Sequence, residues 1–343
     1  MEFLTEYGLF LAKAVTVVVA IAIIVGIASE LSGRGKKADK GHIAISKLNE
    51  FVDEMRDTLQ HTVFSSEQQK AEKKKRKQQE KERKKSTEEE SKKRVFVLSF
   101  KGDISASESS ELKEAITAVL SVAQESDEVV VKLESPGGAV HGYGLAASQL
   151  DRIRNKNIPL TICVDKVAAS GGYMMACVGD RILSAPFAMI GSIGVIGQLP
   201  NFSKLLKKHD VEFEQHTAGD YKRTLTMFGE NTDEDRAKFR EDLQQIHDQF
   251  KHYVAERRPQ LDIEKVATGE VWLGTQALAL GLVDEVKTSD EYLTSQLDTA
   301  DLYEVSFEHK KRIQERLGLA AAAGVEKGVT GVLQRIAGNR FFS

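Results

Sequence analysis

The sequence predicts an α/β domain built on a largely parallel central sheet, and two observations carry that expectation. Short apolar runs of strand length, VFVLSF (95–100), EVVVKL (128–133) and PLTICVD (159–165), alternate with longer amphipathic stretches of helical spacing. Strands and helices in alternation favour a parallel sheet with helices on its faces. The chain has 343 residues, 41% of them hydrophobic, enough for one large domain with further elements attached.

The N-terminus comes first. From Tyr7 to Ala28 the chain reads YGLFLAKAVTVVVAIAIIVGIA, and Lys13 is its one charge. A stretch of this length spans a hydrocarbon core of roughly 30 Å, and a lysine near one end snorkels its amine to the headgroups. Glu2 and Glu6 precede the run, where a cleaved signal peptide wants basic residues, so residues 1–28 are expected to be a retained membrane anchor. Arg34, Lys36, Lys37 and Lys40 follow it, and the positive-inside rule applied to them sets the bulk of the chain in the cytoplasm.

Residues 29–94 read as a helical stalk and charged linker. Ile45, Leu48, Phe51, Val52, Met55 and Leu59 repeat at helical spacing within 43–65. Residues 72–94 hold twelve Lys/Arg and six Glu, the composition of a solvated helix or spacer that is also able to attract anionic lipid headgroups. No aromatic residues are interleaved to stack bases, and the formal net charge of −3 exerts no global pull on nucleic acid. No nucleic-acid partner is expected.

A compact domain is expected over 95–290. After the first strand comes an amphipathic helix at 107–123, then the second strand, the turn SPGGAV and a helix through Arg154. The third strand leads into VAASGGYMMACVGD. The apolar segment 181–199 has a membrane-like hydropathy, yet it contains three glycines, a proline, two serines and an arginine, so it reads as buried sheet. A strand at 211–217, a long charged helix at 232–258 and a closing segment at 270–286 follow. Residues 291–343 are expected to form a helical extension, with 317–342 amphipathic enough to dock on a neighbour or a membrane. The two cysteines, Cys163 and Cys177, lie in apolar contexts and read as small buried hydrophobes.

Two glycine pairs carry the chemistry. SPGG (135–138) leaves a strand and opens a helix, where bare N–H groups can bind the charge that develops on a tetrahedral intermediate. A plain type II turn has the same composition. ASGG (169–172) repeats the logic with a hydroxyl added: Ser170 is a nucleophile candidate and the Gly171 N–H points into the same cavity. A serine hydroxyl needs a base. His141 and His216 are the histidines near these motifs, and neither has an acidic orienter marked by the sequence, which disfavours a Ser-His-Asp triad. Lys222, beside Tyr221 and ahead of Leu225, Met227 and Phe228, is the other base available, and it must lose its proton to serve.

Taken together, SPGG, DKVAASGGY, GSIGV, AGDYKR and GLVDE resemble the signal peptide peptidase family of serine proteases, over about 95–290. The resemblance implies a Clp protease/crotonase-type fold and a Ser/Lys dyad, with no cofactor. It implies that Ser170 is the nucleophile, Lys222 the general base and Ser192 the hydroxyl that holds the lysine amine. Gly137 or Gly138, together with Gly171, would form the oxyanion hole, and Asp165 and Tyr173 would be structural supports. One catalytic repeat in the chain implies a homo-oligomer.

The expected function is a membrane-anchored serine endopeptidase acting on peptide or protein substrates such as signal-peptide remnants and misfolded envelope proteins. A crotonase-like acyl-CoA enzyme and a non-catalytic membrane scaffold are the alternatives. The resemblance sets the anchor in a bacterial inner membrane with the catalytic domain on the periplasmic side, against the charge bias around the span.

Overall fold

The computed structural model describes residues 41–74, 92–219 and 221–309, with Lys13 and Gln78 placed singly. The sheet and the site belong to the larger of two compact units, Ile43–Phe307.

Along the chain the described elements begin with β1 (His42–Lys47), followed by α1 (Leu48–Val63), β2 (Lys93–Lys101), α2 (Ser109–Leu120), β3 (Glu128–Glu134), α3 (Val140–Arg154), β4 (Leu160–Val164), β5 (Val167–Ala169) and α4 (Gly171–Ala176). Then come β6 (Arg181–Ser184), β7 (Met189–Gly191), α5 (Ser203–Lys208), α6 (Asp233–Arg257), α7 (Ile263–Val266), β8 (Val271–Leu273), α8 (Gly274–Ala279), β9 (Glu285–Val286), α9 (Ser289–Gln296) and β10 (Ala300–Glu308). Seven strands form one sheet in the order β1-β10-β2-β3-β4-β6-β9, and β5-β7-β8 form a second. The pairings from β10 to β9 are all parallel.

Strand periodicity divides the core in two. Along β2, Phe96, Leu98 and Phe100 point to the larger cluster, where Leu112, Ile116, Leu150 and Ile153 of α2 and α3 meet them. Val95 and Val97 point the other way, against Cys163, Leu183, Tyr292 and Leu293. Both faces are covered, which is why these strands read as unbroken apolar runs. Each fully buried leucine or isoleucine contributes about 1.5–3 kcal/mol relative to an exposed one. In α3 the buried stripe is Tyr143, Ala146, Ala147, Leu150 and Ile153, and its alanines let the helix lie close to α4. The helix α6 is charged over most of its length and buries only Phe250 and Val254; the Thr232–Asp235 capping box starts it. Buried Arg258 just past its end donates to both oxygens of Asp284 and to the Gly281 carbonyl.

The structure departs from the sequence reading in four places. Residues 42–47 are a strand, and the helix starts only at Leu48. Ile43 and Ile45, two apart, suit a strand as well as a helical rhythm, and pairing beside β10 decides between them. Asn49 staples this region down: its amide donates to the carbonyls of Leu297 and Ala300 and accepts from the Leu302 N–H. The sheet also runs beyond the expected boundary at 290, since β10 lies inside it next to β2. Residues 211–217 are irregular and exposed, because no neighbouring strand offers them an edge. The segment 181–199 is sheet only at β6 and β7 and then runs irregular, with Ile196 exposed. No helix among the described residues is long and apolar enough to cross a membrane; the expected span at 7–28 and the tail at 317–342 lie outside those residues.

Candidate active site

The two glycine pairs meet at the carboxyl end of the parallel sheet, the end at which open α/β sheets bind ligands. Strand β3 ends at Glu134 and runs into SPGG, and β4 leads through Asp165 to β5 and Ser170. A parallel bridge between Ser135 and Ala168 ties the two segments: the Ser135 N–H donates to the Val167 carbonyl at 2.8 Å and the Ala169 N–H to the Ser135 carbonyl at 3.0 Å.

Ser170 caps α4 with φ 52° and ψ −120°, a left-handed conformation that L side chains rarely adopt. Three local facts produce it. The chain must turn sharply from β5 into a helix, the Ser170 N–H donates to the Gly191 carbonyl at 2.8 Å, and the Ser170 carbonyl accepts from the Met174 N–H at 3.0 Å. The residues around it must be small. A β-carbon on Gly171 would lie 2.3 Å from the Tyr143 ring, and one on Gly172 would lie 2.5 Å from the Ser135 carbonyl. Gly137, with φ 89°, abuts the serine directly: a β-carbon there would lie 2.7 Å from Ser170 Cβ and 2.8 Å from the Gly171 nitrogen. Ser170 itself is half-buried.

Of the residues singled out in the sequence, Gly137, Gly171 and Ser170 are brought together. Gly138 follows in the same turn, packed against Ile104, where a β-carbon would lie 2.2 Å from the carbonyl oxygen. Ser192 also joins the group. Strands β5 and β7 pair in parallel with Ala169 opposite Gly191, so Ser170 and Ser192 are the next residues along two adjacent strands. Ser192 has φ 51° and its N–H donates to the Glu270 carbonyl at 2.6 Å. Ser170 and Ser192 are thus both in left-handed backbone, side by side. No described contact holds Lys222 beside them. It is exposed in a turn whose described hydrogen bond runs from its N–H to the Gly219 carbonyl. The turn caps an excursion, 200–231, held at its base by Asn201, which donates to the carbonyls of Thr226 and Gly229, and by the rings of Phe202, Phe213 and Phe228. Lys238 of α6 stands over the Tyr221 ring at 5.3 Å. His141 is exposed, and His216 is exposed and pairs with Glu214, so neither histidine is held toward Ser170 by a described contact.

Asp165 and Tyr173 hold the frame. Asp165 accepts from the backbone and hydroxyl of Ser289 at the start of α9, and buried Tyr173 donates to the Leu282 carbonyl at 2.9 Å. Burial pushes the Tyr173 hydroxyl far above its ordinary value, so it stays protonated. Tyr143 was not singled out by the sequence. It lies with its ring on Gly171 and its hydroxyl 2.6 Å from Ser135 Oγ. Its only signal was its place in the buried stripe of α3, which any core aromatic shares.

A parallel α/β sheet holds a positive-φ serine between two glycine turns, and the comparisons identify the class of protein as a peptidase. Peptidase family S49 N-terminal matches residues 2–150 and Peptidase family S49 matches residues 152–302. The chain belongs to peptidase family S49. It is 48% identical over 330 residues to "Probable protease SohB" of Haemophilus influenzae, covering 93% of each chain. It is 51% identical over 317 residues to "Probable protease SohB" of Buchnera aphidicola subsp. Acyrthosiphon pisum, covering 92% of this chain and 93% of the relative. A more distant similarity, 30% identical over 170 residues and 49% of each chain, is to "Putative signal peptide peptidase SppA" of Enterococcus faecium.

Proposed function

We propose that this peptidase is a membrane-anchored serine endopeptidase of Clp protease/crotonase-type fold that works through Ser170 and Lys222. The observation that carries the reading is the backbone of Ser170, held at φ 52° between β5 and a Gly-Gly helix start. Such a conformation costs a non-glycine residue about 1–3 kcal/mol, and strain of this kind gathers at reactive groups. In this reading neutral Lys222 takes the Ser170 proton while Ser192 holds the amine. Ser170 Oγ attacks the scissile carbonyl, and the oxyanion accepts hydrogen bonds from the Gly171 N–H and from that of Gly138, since the Gly137 N–H is already donated to Ser135 Oγ. The Lys222 ammonium returns the proton to the leaving amine. Water, deprotonated by the same lysine, then hydrolyses the acyl-enzyme.

No described contact holds Lys222 at the site, and in this reading assembly fixes it there. The segments that would carry it expose apolar side chains, with Ile196 77% and Tyr221 62% exposed, a surface suited to a neighbouring copy. A homo-oligomer that packs 196–231 against its neighbour completes the dyad. The composition of 7–28 supports a membrane anchor, and the family resemblance supports an inner-membrane location, a periplasmic catalytic domain, and signal-peptide remnants or misfolded envelope proteins as substrates.

Covalent labelling tests this. Detergent-solubilised full-length protein is treated with a fluorophosphonate between pH 6 and pH 10 and read by mass spectrometry. The expected result is label on Ser170 that disappears in Ser170→Ala and falls by about two orders of magnitude or more in Lys222→Ala. An assembled oligomer that takes no label at any pH would overturn the dyad and leave the non-catalytic scaffold or the acyl-CoA enzyme, neither of which needs a reactive serine.

A further inference from the structure

Four polar groups behind the glycine turn form a chain whose direction can be worked out proton by proton. Tyr143 has one hydroxyl proton. Its oxygen lies 2.7 Å from the Asp103 carbonyl, which only accepts, so the proton goes there. Ser135 Oγ lies 2.6 Å from Tyr143 Oη and must therefore donate to it. The lone pair left on Ser135 Oγ accepts the Gly137 N–H at 3.1 Å. The chain runs from Gly137 through Ser135 and Tyr143 to Asp103, and both side chains within it are fully buried. In a low-dielectric interior each link polarises the next.

Tyr143 also reaches the other half of the site. Its ring lies under Gly171, close enough that a β-carbon on that glycine would meet ring carbons at 2.3 and 2.7 Å. One side chain therefore touches both backbone segments that flank Ser170: the ring sets Gly171, and the hydroxyl sets Gly137 through Ser135. The strand-end loop behind them is closed too. A β-carbon on Gly102 would lie 2.3 Å from Tyr143 Oη and 2.4 Å from Ser135 Oγ, and the Ala139 N–H donates to the Ile104 carbonyl at 2.7 Å. Phe100 packs edge-on against the Tyr143 ring at 6.4 Å and fixes its plane.

We propose that Ser135 and Tyr143 are positioning residues that orient the 136–138 peptides toward Ser170, acting through the Gly137 N–H and the Gly171 backbone. The inference rests on Ser170 being the nucleophile. Transition-state donors must stand within a few tenths of an ångström of the developing oxyanion, and ground-state binding makes no such demand. Losing the chain lowers the rate of acylation more than it weakens substrate binding.

The test uses full-length detergent-solubilised protein, with Tyr143→Phe, Ser135→Ala and the double variant. Four quantities are measured: the rate constant for fluorophosphonate labelling of Ser170, kcat and KM on a fluorogenic apolar peptide, and Tm. Each single variant is expected to label and turn over about tenfold to a hundredfold more slowly, with KM within about threefold of wild type. The double variant is expected to lose little more than either single one, since both break one chain. Tyr143→Phe keeps the ring and its packing and carries the test if Ser135→Ala does not fold. Labelling of Tyr143→Phe at the wild-type rate overturns the positioning role, as does a loss that appears equally in KM or adds fully in the double variant. Ser170→Ala separates the two levels. Label that persists in it, or is absent from wild type, refutes the nucleophile and this proposal with it, whereas label confined to Ser170 but indifferent to Tyr143→Phe refutes positioning alone.

Discussion

At the scale of single residues the site is defined by what cannot be added to it. Gly137 combines a left-handed φ of 89° with a β-carbon position 2.7 Å from both the Ala169 carbonyl and Ser170 Cβ. A methyl group there meets backbone on one side and the Ser170 side chain on the other, so neither can yield freely. Gly137→Ala is expected to lower stability by about 1–3 kcal/mol and to suppress labelling of Ser170. Thermal denaturation and fluorophosphonate labelling of the same sample check both. Labelling at the wild-type rate would show that the turn has no part in presenting the serine. The cysteines are inert by contrast. Burial pushes the thiols of Cys163 and Cys177 up to about 12, leaving them protonated packing groups.

At the scale of elements the sheet depends on a few buried ionic contacts where loops join strands. Arg94 on β2 grips Asp127, just ahead of β3, with Nε at 3.0 Å from one carboxylate oxygen and Nη2 at 2.6 Å from the other. The Gln124 N–H adds a third donor at 2.7 Å. Burial alone would raise the Asp127 carboxyl, but these hydrogen bonds and the guanidinium charge outweigh it and hold it below its ordinary value. The ionised form is therefore favoured by folding. Its contribution is fully present above the unfolded carboxyl value of about 3.9 and is lost as pH falls through the lower folded value. Asp127→Asn is expected to lower Tm at neutral pH and to flatten the fall of Tm between about pH 4 and pH 2. Thermal melts across that range decide it, and parallel curves for variant and wild type would remove Asp127 from the acid response.

At the scale of the whole molecule the proposed dyad is split: Ser170 sits at the sheet's carboxyl end, and no described contact holds exposed Lys222 beside it. Exposed Ile196 lies just ahead of the excursion that bears Lys222 and exposed Tyr221 lies within it, and neither belongs to the buried core. If the proposed homo-oligomer completes the dyad, Ile196→Glu should leave Tm within a few degrees of wild type, since the residue is 77% exposed, yet it should break the assembly. Light scattering is expected to show smaller species, and labelling of Ser170 to fall with them. A variant that keeps its assembly and its labelling would place the subunit contact elsewhere.

Much was legible without coordinates, and the reason is locality. Buried strands β2, β3 and β4 announce themselves as apolar runs, α2 as an amphipathic segment, α6 as a long charged one, and the glycine turns by composition, because each obeys short-range sterics and burial. Ser170 and the glycines on either side were readable for that reason. Pairing between distant segments was not. Only the tertiary structure turned 42–47 into a strand and drew β10 into the sheet, because an edge strand takes its hydrogen bonds from a partner far along the chain. Only it placed Ser192 beside Ser170, through the parallel register of β5 and β7. It alone carried the Tyr143 ring beneath Gly171, since a buried aromatic in an amphipathic stripe gives the same sequence signal whatever it packs on. The sequence by itself determined which groups were available for chemistry; long-range packing decided which of them meet.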